Sequence, residues 1–158
     1  MLDFSGRQDG LEVTQVADGW ALSRLSPPSR LHGANGIRTG ADGRIYVAQV
    51  PGSKISAIDP DSGAITTVCA IDGPITAPDD LVFDDAGNMF VTEITLGRVS
   101  MVGADGSYRV VSADIPVANP ITMHQGRLIA GECFYGGRIM ELDVSTGAQR
   151  IILADAPM

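Results

Sequence analysis

One stretch of this chain returns twice along its length, and that repetition constrains the fold more than any single motif does. The segment Asn35–Gln49 aligns without a gap on Asp79–Glu93, and Asn119–Glu132 is a third copy with one deletion. A second segment follows each: Lys54–Asp59, Arg98–Gly103 and Arg138–Asp143. Turn signals come next, at Asp61-Ser62-Gly63, Asp105-Gly106 and Ser145-Thr146-Gly147. A last apolar run then closes each copy, at Ile65–Ala70, Tyr108–Ser112 and Gln149–Leu153. Each copy is thus four strands of about five residues joined by tight turns within roughly 40 residues, the arithmetic of a propeller blade. The predicted fold is all-β: a β-propeller of four-stranded antiparallel blades at 34–72, 78–116 and 118–156. Residues 1–33 form a separate N-terminal segment, in which Leu11–Ala17 and Ala21–Ser26 read as outer strands of a preceding blade.

Two other folds compete. A helical reading fails because no stretch keeps an apolar 3.6-residue period for three turns free of Gly and Pro. A β-sandwich accommodates short strands but does not call for a near-exact internal repeat. The 19 glycines, many beside Asp, Asn or Ser, favour many short turns in the same way.

Charge narrows the partners. The net charge is −8 and Lys54 is the only lysine, so a phosphate backbone finds little to hold and nucleic acid is excluded as a partner. No apolar run approaches the roughly 18 residues of a membrane span, and Met1–Gly10 shows neither a basic leader nor a signal-like apolar stretch. Cys69 and Cys133 fit no metal or redox spacing and read as free thiols, which favours a reducing, cytoplasmic setting.

Strand direction then assigns the polar candidates to faces. With the first strand of each blade at the central channel, the Asp42-Gly43 and Asp61-Ser62-Gly63 types of turn fall on one face and the remaining connections on the other. Asn35, Asp79 and Asn119 stand where the chain enters the innermost strand, so three equivalent side chains are expected at the channel mouth. Gln49, Glu93 and Glu132, at the ends of the second strands, are expected on the same face. Asn and Asp oxygens suit a hard cation such as calcium and also hydrogen-bond a carbonyl substrate, although Asx residues at strand entrances also bond their own backbone. Asp79 and Asp80 are adjacent, so in an extended strand they point to opposite sides; Asp79 is expected in the channel and Asp80 as a turn or supporting group. His32, three residues before Asn35, is in reach of the channel mouth as a base or substrate contact. His124 falls on the far face and reads as structural. No nucleophile elbow, phosphate-binding glycine loop or zinc pattern is present.

Ala34-Asn35-Gly36-Ile37 and the run Pro78–Glu93 resemble the strand-entry motifs of the superfamily of gluconolactonases, regucalcins and luciferin-regenerating enzymes, which are six-bladed propellers. The likeness spans residues 34–156 and is shared in part with streptogramin lyases. It implies a divalent-metal-dependent hydrolase of a lactone or sugar-derived ester, with calcium as the first candidate metal and zinc as the second. By position it implies Asn119 as a metal ligand, with Pro120 where the family has glycine; Asp79 falls where the family has the asparagine of an Asn-Asp pair, often a substrate contact, and is expected here as catalytic base or metal ligand. Asn35, Glu93, Glu132 and His32 then surround the substrate. The family's Glu-Gly-Pro motif does not occur in this sequence, so the implied metal site is incomplete in this chain, as is the six-bladed ring. Two function classes follow: a metal-dependent lactonase when the ring is complete, or a propeller whose same face binds a ligand or protein without turnover. Self-association to complete the propeller is expected in either case.

Overall fold

The computed structural model describes residues 16–23, 25 and 31–156. The first four strands are β1 (Ala34–Thr39), β2 (Ile45–Gln49), β3 (Lys54–Ile58) and β4 (Ile65–Cys69). They are followed by β5 (Pro78–Phe83), β6 (Met89–Glu93), β7 (Arg98–Val102) and β8 (Tyr108–Ser112). The last four are β9 (Ala118–His124), β10 (Arg127–Glu132), β11 (Gly137–Leu142) and β12 (Gln149–Ala156). They form three four-stranded antiparallel sheets, each a meander in chain order, and no helix occurs among the described residues. The three blades correspond to the three sequence copies.

Successive blades pack face to face, with β1, β5 and β9 side by side at the inner edge. Strand alternation supplies both faces of the middle blade. Leu81, Met89 and Val91 join Tyr46, Ala48, Ile55 and Ala57 of the first blade in one core. On the opposite face, Phe90, Val99 and Val111 join Ile121, Leu128 and Met140 of the third in another. Most of these side chains are completely buried, and a fully buried aliphatic or aromatic side chain contributes on the order of 1.5–3 kcal/mol. The fold's stability therefore resides between the sheets.

The hairpin turns close as their residues require. Gly43, Gly87 and Gly126 end the turns between the first two strands of each blade, with φ of 79°, 83° and 74°, a region that L-residues other than Asn and Asp seldom enter. Of the outer strands predicted for a preceding blade, 11–15, 24 and 26 lie outside the described residues. The described part forms no strand and contains a turn in which Trp20 N–H donates to Ala17 O at 3.0 Å. Among the described residues no helix is long and apolar enough to cross a membrane.

Replacing Gly43 by valine puts a branched side chain at positive φ where nothing else crowds it. The expected loss is about 1–3 kcal/mol of folding free energy in denaturant titration.

Candidate functional site

Each inner strand begins with the same irregularity. In the first blade Ala34 pairs with Gln49 but Ile37 with Val47; in the second Pro78 pairs with Glu93 but Leu81 with Val91; in the third Ala118 pairs with Glu132 but Ile121 with Ala130. Two residues of the inner strand thus face one residue of its neighbour, which is a β-bulge, a device that bends a strand and re-aims its side chains. The bulged pairs are Asn35-Gly36, Asp79-Asp80 and Asn119-Pro120. The residue just before each strand lies in the left-handed region: Gly33 at 62°, Ala77 at 45° and Val117 at 52°. For a β-branched residue such as Val117 this is a strained conformation, of the kind that collects at functional sites.

The bulges bring two of the expected residues together. Asn35 donates its amide N–H to the Asp79 carboxylate across the first blade junction. Asp79 is buried, at 3% exposure, whereas Asn35 lies exposed above it. The close approach depends on Gly36: a Cβ there would lie 2.6 Å from the Asp80 Cα. Burial pushes the Asp79 carboxyl above the ordinary carboxylate range, and the neighbouring Asp80 charge adds to this, while the Asn35 hydrogen bond opposes it. Asn119 occupies the matching bulge position in β9 and is half-buried. His32 is half-buried and its backbone carbonyl accepts from Gly52 N–H at 3.2 Å; no hydrogen bond joins its ring to Asn35 or Asp79.

Several expectations need correction. Asp80, expected as a turn or supporting group pointing away from Asp79, is a supporting group and not a turn one, because the bulge interrupts the alternation on which that direction depended. It is 6% exposed, and its Oδ2 accepts from Arg38 Nη2 of the first blade at 3.0 Å and from Ile121 N–H of the third at 3.3 Å. Its Oδ1 accepts from Leu81 N–H at 2.9 Å. A single carboxylate therefore ties three blades together.

Glu93 and Glu132, expected around the substrate, are instead consumed inside their own blades. Glu93 is completely buried; its two oxygens accept from Arg98 Nε and Nη2 at 2.8 and 2.9 Å, and also from Thr76 N–H and Ser100 Oγ. Glu132 is paired in the same way with Arg138, whose hydrogen bonds hold its carboxyl below the usual range despite burial. Gln49 is also completely buried, and its amide nitrogen donates to Ser56 Oγ at 2.9 Å. The overlooked signal was the basic residue opening each third strand: Lys54, Arg98 and Arg138. Hairpin register sets Lys54 and Arg98 directly opposite Gln49 and Glu93, and bidentate Arg–carboxylate pairing follows.

The donors at the entry face do not make a cation shell. No group of three or more His, Cys, Asp or Glu side chains gathers among the described residues. One carboxylate and two amides supply at most four of the six to eight oxygens that calcium takes. A cleft of about 710 Å³ between the second and third blades opens at the opposite, hairpin-turn end, floored by Val82, Phe90 and Met123. Cys69 is a half-buried thiol pushed up to about 11 by burial, and Cys133 is exposed; both are free.

Three packed meander sheets with their entry bulges around a common inner edge define a β-propeller protein. Solved structures share this fold. A streptogramin B lyase structure matches at 23% identity with a TM-score of 0.64, covering 87% of this chain and 43% of that one. Nidogen in its complex with laminin matches at 20% identity with a TM-score of 0.69, covering 80% and 50%. A gluconolactonase-family protein matches at 12% identity with a TM-score of 0.64, covering 82% and 51%. The chain therefore spans about half the length of these propellers. No protein-family model matches the sequence, nor does any curated protein.

Asp80→Ala removes a buried carboxylate from under a guanidinium and two backbone N–H groups. We expect a loss of about 2–4 kcal/mol in urea unfolding. Glu93→Ala, which leaves Arg98 without its partner, should cost roughly 3–5 kcal/mol.

Proposed function

We propose that the entry face binds a small carbonyl-bearing molecule, a lactone or related ester of a sugar-derived acid, and that Asp79 serves there as the general base of a hydrolase. The observation that carries this reading is the Asp79–Asn35 pair. It is a carboxylate whose pKa is raised above the ordinary carboxylate range by burial and by a like charge, held by an exposed amide on a bulge that all three blades repeat. A base with a raised pKa is better matched to proton transfer near neutral pH than a surface carboxylate. In this role Asp79 withdraws a proton from a water as it adds to the carbonyl carbon, and returns it to the leaving alkoxide when the ring opens. Asn35 keeps the carboxylate oriented. Likeness to a gluconolactonase-family protein supports the choice of substrate at the level of the fold.

A second reading, ligand or protein binding without turnover, is favoured by the engagement of Asp80, Glu93 and Glu132 in ion pairs. That leaves Asp79 with little catalytic company. One propeller of this fold was solved in a complex with a protein partner.

A panel of lactones assayed with and without chelator separates the two. Under the hydrolase reading, Asp79→Asn lowers kcat/KM at least about 100-fold while leaving the fold intact. The pH profile tests the assignment further. Because the folded-state pKa of Asp79 is raised, its base form is populated only above that value, so the acidic limb of the profile should lie above the ordinary carboxylate range. Asn35→Ala removes the one contribution that lowers this pKa and should move the limb higher still. Full activity of Asp79→Asn on a turned-over lactone would exclude Asp79 as the base.

The same shift has a thermodynamic face. A raised carboxyl pKa favours the protonated form in the folded state, so its contribution to stability is fully present below the unfolded value and lost as pH rises through the folded one. Asp79→Asn should therefore raise Tm at neutral pH and lose that advantage below about pH 3 to 4, in calorimetric scans across this range.

A further inference from the structure

Apolar side chains left in water are distributed unevenly between the two ends of the blades. Among the described residues, the connections between strands expose five large hydrophobic side chains, Ile71, Leu96, Val117, Phe134 and Tyr135, and all of them stand at the entry end. The hairpin turns at 40–44, 59–64, 84–88, 103–107, 125–126 and 143–148 expose none. We propose that Leu96, Val117, Phe134 and Tyr135 form a subsite for an apolar group, aryl or alkyl, carried by the ligand whose carbonyl lies at Asp79. This rests on the entry face being the ligand-binding face, and it does not require turnover.

Hydrogen bonds set these residues along one continuous strip. The connection 94–97 stands between the segments that lead into β5 and β9. On one side the Glu93 carboxylate accepts from Thr76 N–H at 2.7 Å, just upstream of Asp79; on the other the Gly97 carbonyl accepts from Ile115 N–H at 2.9 Å, just upstream of Asn119. Val117 continues the strip, its carbonyl accepting from Cys133 N–H at 3.0 Å, next to Phe134 and Tyr135. The connections 94–97, 113–117 and 133–136 contain one charged residue, Asp114. A single exposed leucine needs no explanation, but adjoining apolar residues at a channel mouth mark a binding surface.

Folding alone does not select these side chains. Val117 has a φ of 52°, where a β-branched residue is strained, and is 39% exposed, so backbone and solvent both favour something smaller. The first and second blades have Gly33 and Ala77 at that position. Leu96 and Tyr135, 48% and 87% exposed, each precede a glycine in the left-handed region, Gly97 at 60° and Gly136 at 76°. In the first blade Gly52 stands at that place, before Ser53 at 44°. Leu96 stays exposed with the third blade packed against its own, so the exposure belongs to the loop position. Bulk is therefore added at the two blades that carry Asp79 and Asn119, where an aromatic ring offers a large contact area to an apolar group.

Equilibrium binding of lactams, cyclic amides that resist ring opening, reads this subsite apart from catalysis. In titration calorimetry of the 158-residue chain, a δ-lactam bearing a benzyl group should bind at least about 10-fold more tightly than the unsubstituted ring, the scale of burying part of one phenyl group. Leu96→Ser and Tyr135→Ser alter exposed loop side chains and should each reduce that preference about 3-fold or more. Val110→Ser, which removes a comparably exposed side chain from the outer strand β8, should preserve it. A benzyl preference without hydrolysis of any lactone would support the subsite while refuting the hydrolase reading. Equal affinity for the two lactams, no binding of the benzyl lactam, or the same loss in Val110→Ser as in Tyr135→Ser would overturn the inference.

Discussion

A sheet of four short strands cannot shield its own faces, and everything else in this protein depends on that constraint. The strands of each blade are linked by hydrogen bonds, but the apolar side chains alternate to both sides and are removed from water only when another blade lies against them. The middle blade satisfies the condition twice, once against each neighbour. The placement of polar groups follows from the same packing. The inner strands must approach closely enough for Asp79 to meet Asn35, and they do so because Gly36 lacks a side chain at the point of contact.

Much of the architecture was legible in the sequence because it is written three times. Alternation, turn glycines and the regular return of Asp-Gly defined the strands, their order and the face on which Asn35, Asp79 and Asn119 enter. Where the reading failed, the cause was local geometry invisible in a repeat pattern. Adjacent Asp79 and Asp80 were assigned to opposite sides by simple alternation; a bulge at that point interrupts the alternation, both are buried, and Asp80 becomes a bridge. Glu93 and Glu132 resembled acids lining a site because they end their strands on the entry face. Their fate was decided by the residue directly across the hairpin, Arg98 for Glu93 and Arg138 for Glu132, and that pairing requires register as well as residue type.

The division between the two ends of the blades is chemical as well as geometric. At the hairpin end, Asp105 and Asp143 are held below the ordinary carboxylate range by turn serine side chains and then by backbone N–H groups, and Asp59 by the Ser62 backbone N–H and side chain. Those acids are spent on chain reversal. At the entry end, Ala77 and Val117 hold left-handed backbone just before their inner strands, and the single buried carboxylate without an arginine is Asp79 among the described residues.

Asp80 gives this repeat array an unusual coupling. Stacked repeats touch only their nearest neighbours, so an array of them can fray from its ends one unit at a time. A carboxylate held in the middle blade that accepts from Arg38 on one side and Ile121 on the other lets the first and third blades sense each other's state. Detaching either outer blade leaves a buried negative charge short of a donor. The three blades are thereby bound into one cooperative unit, melting together where a simple stack would come apart blade by blade.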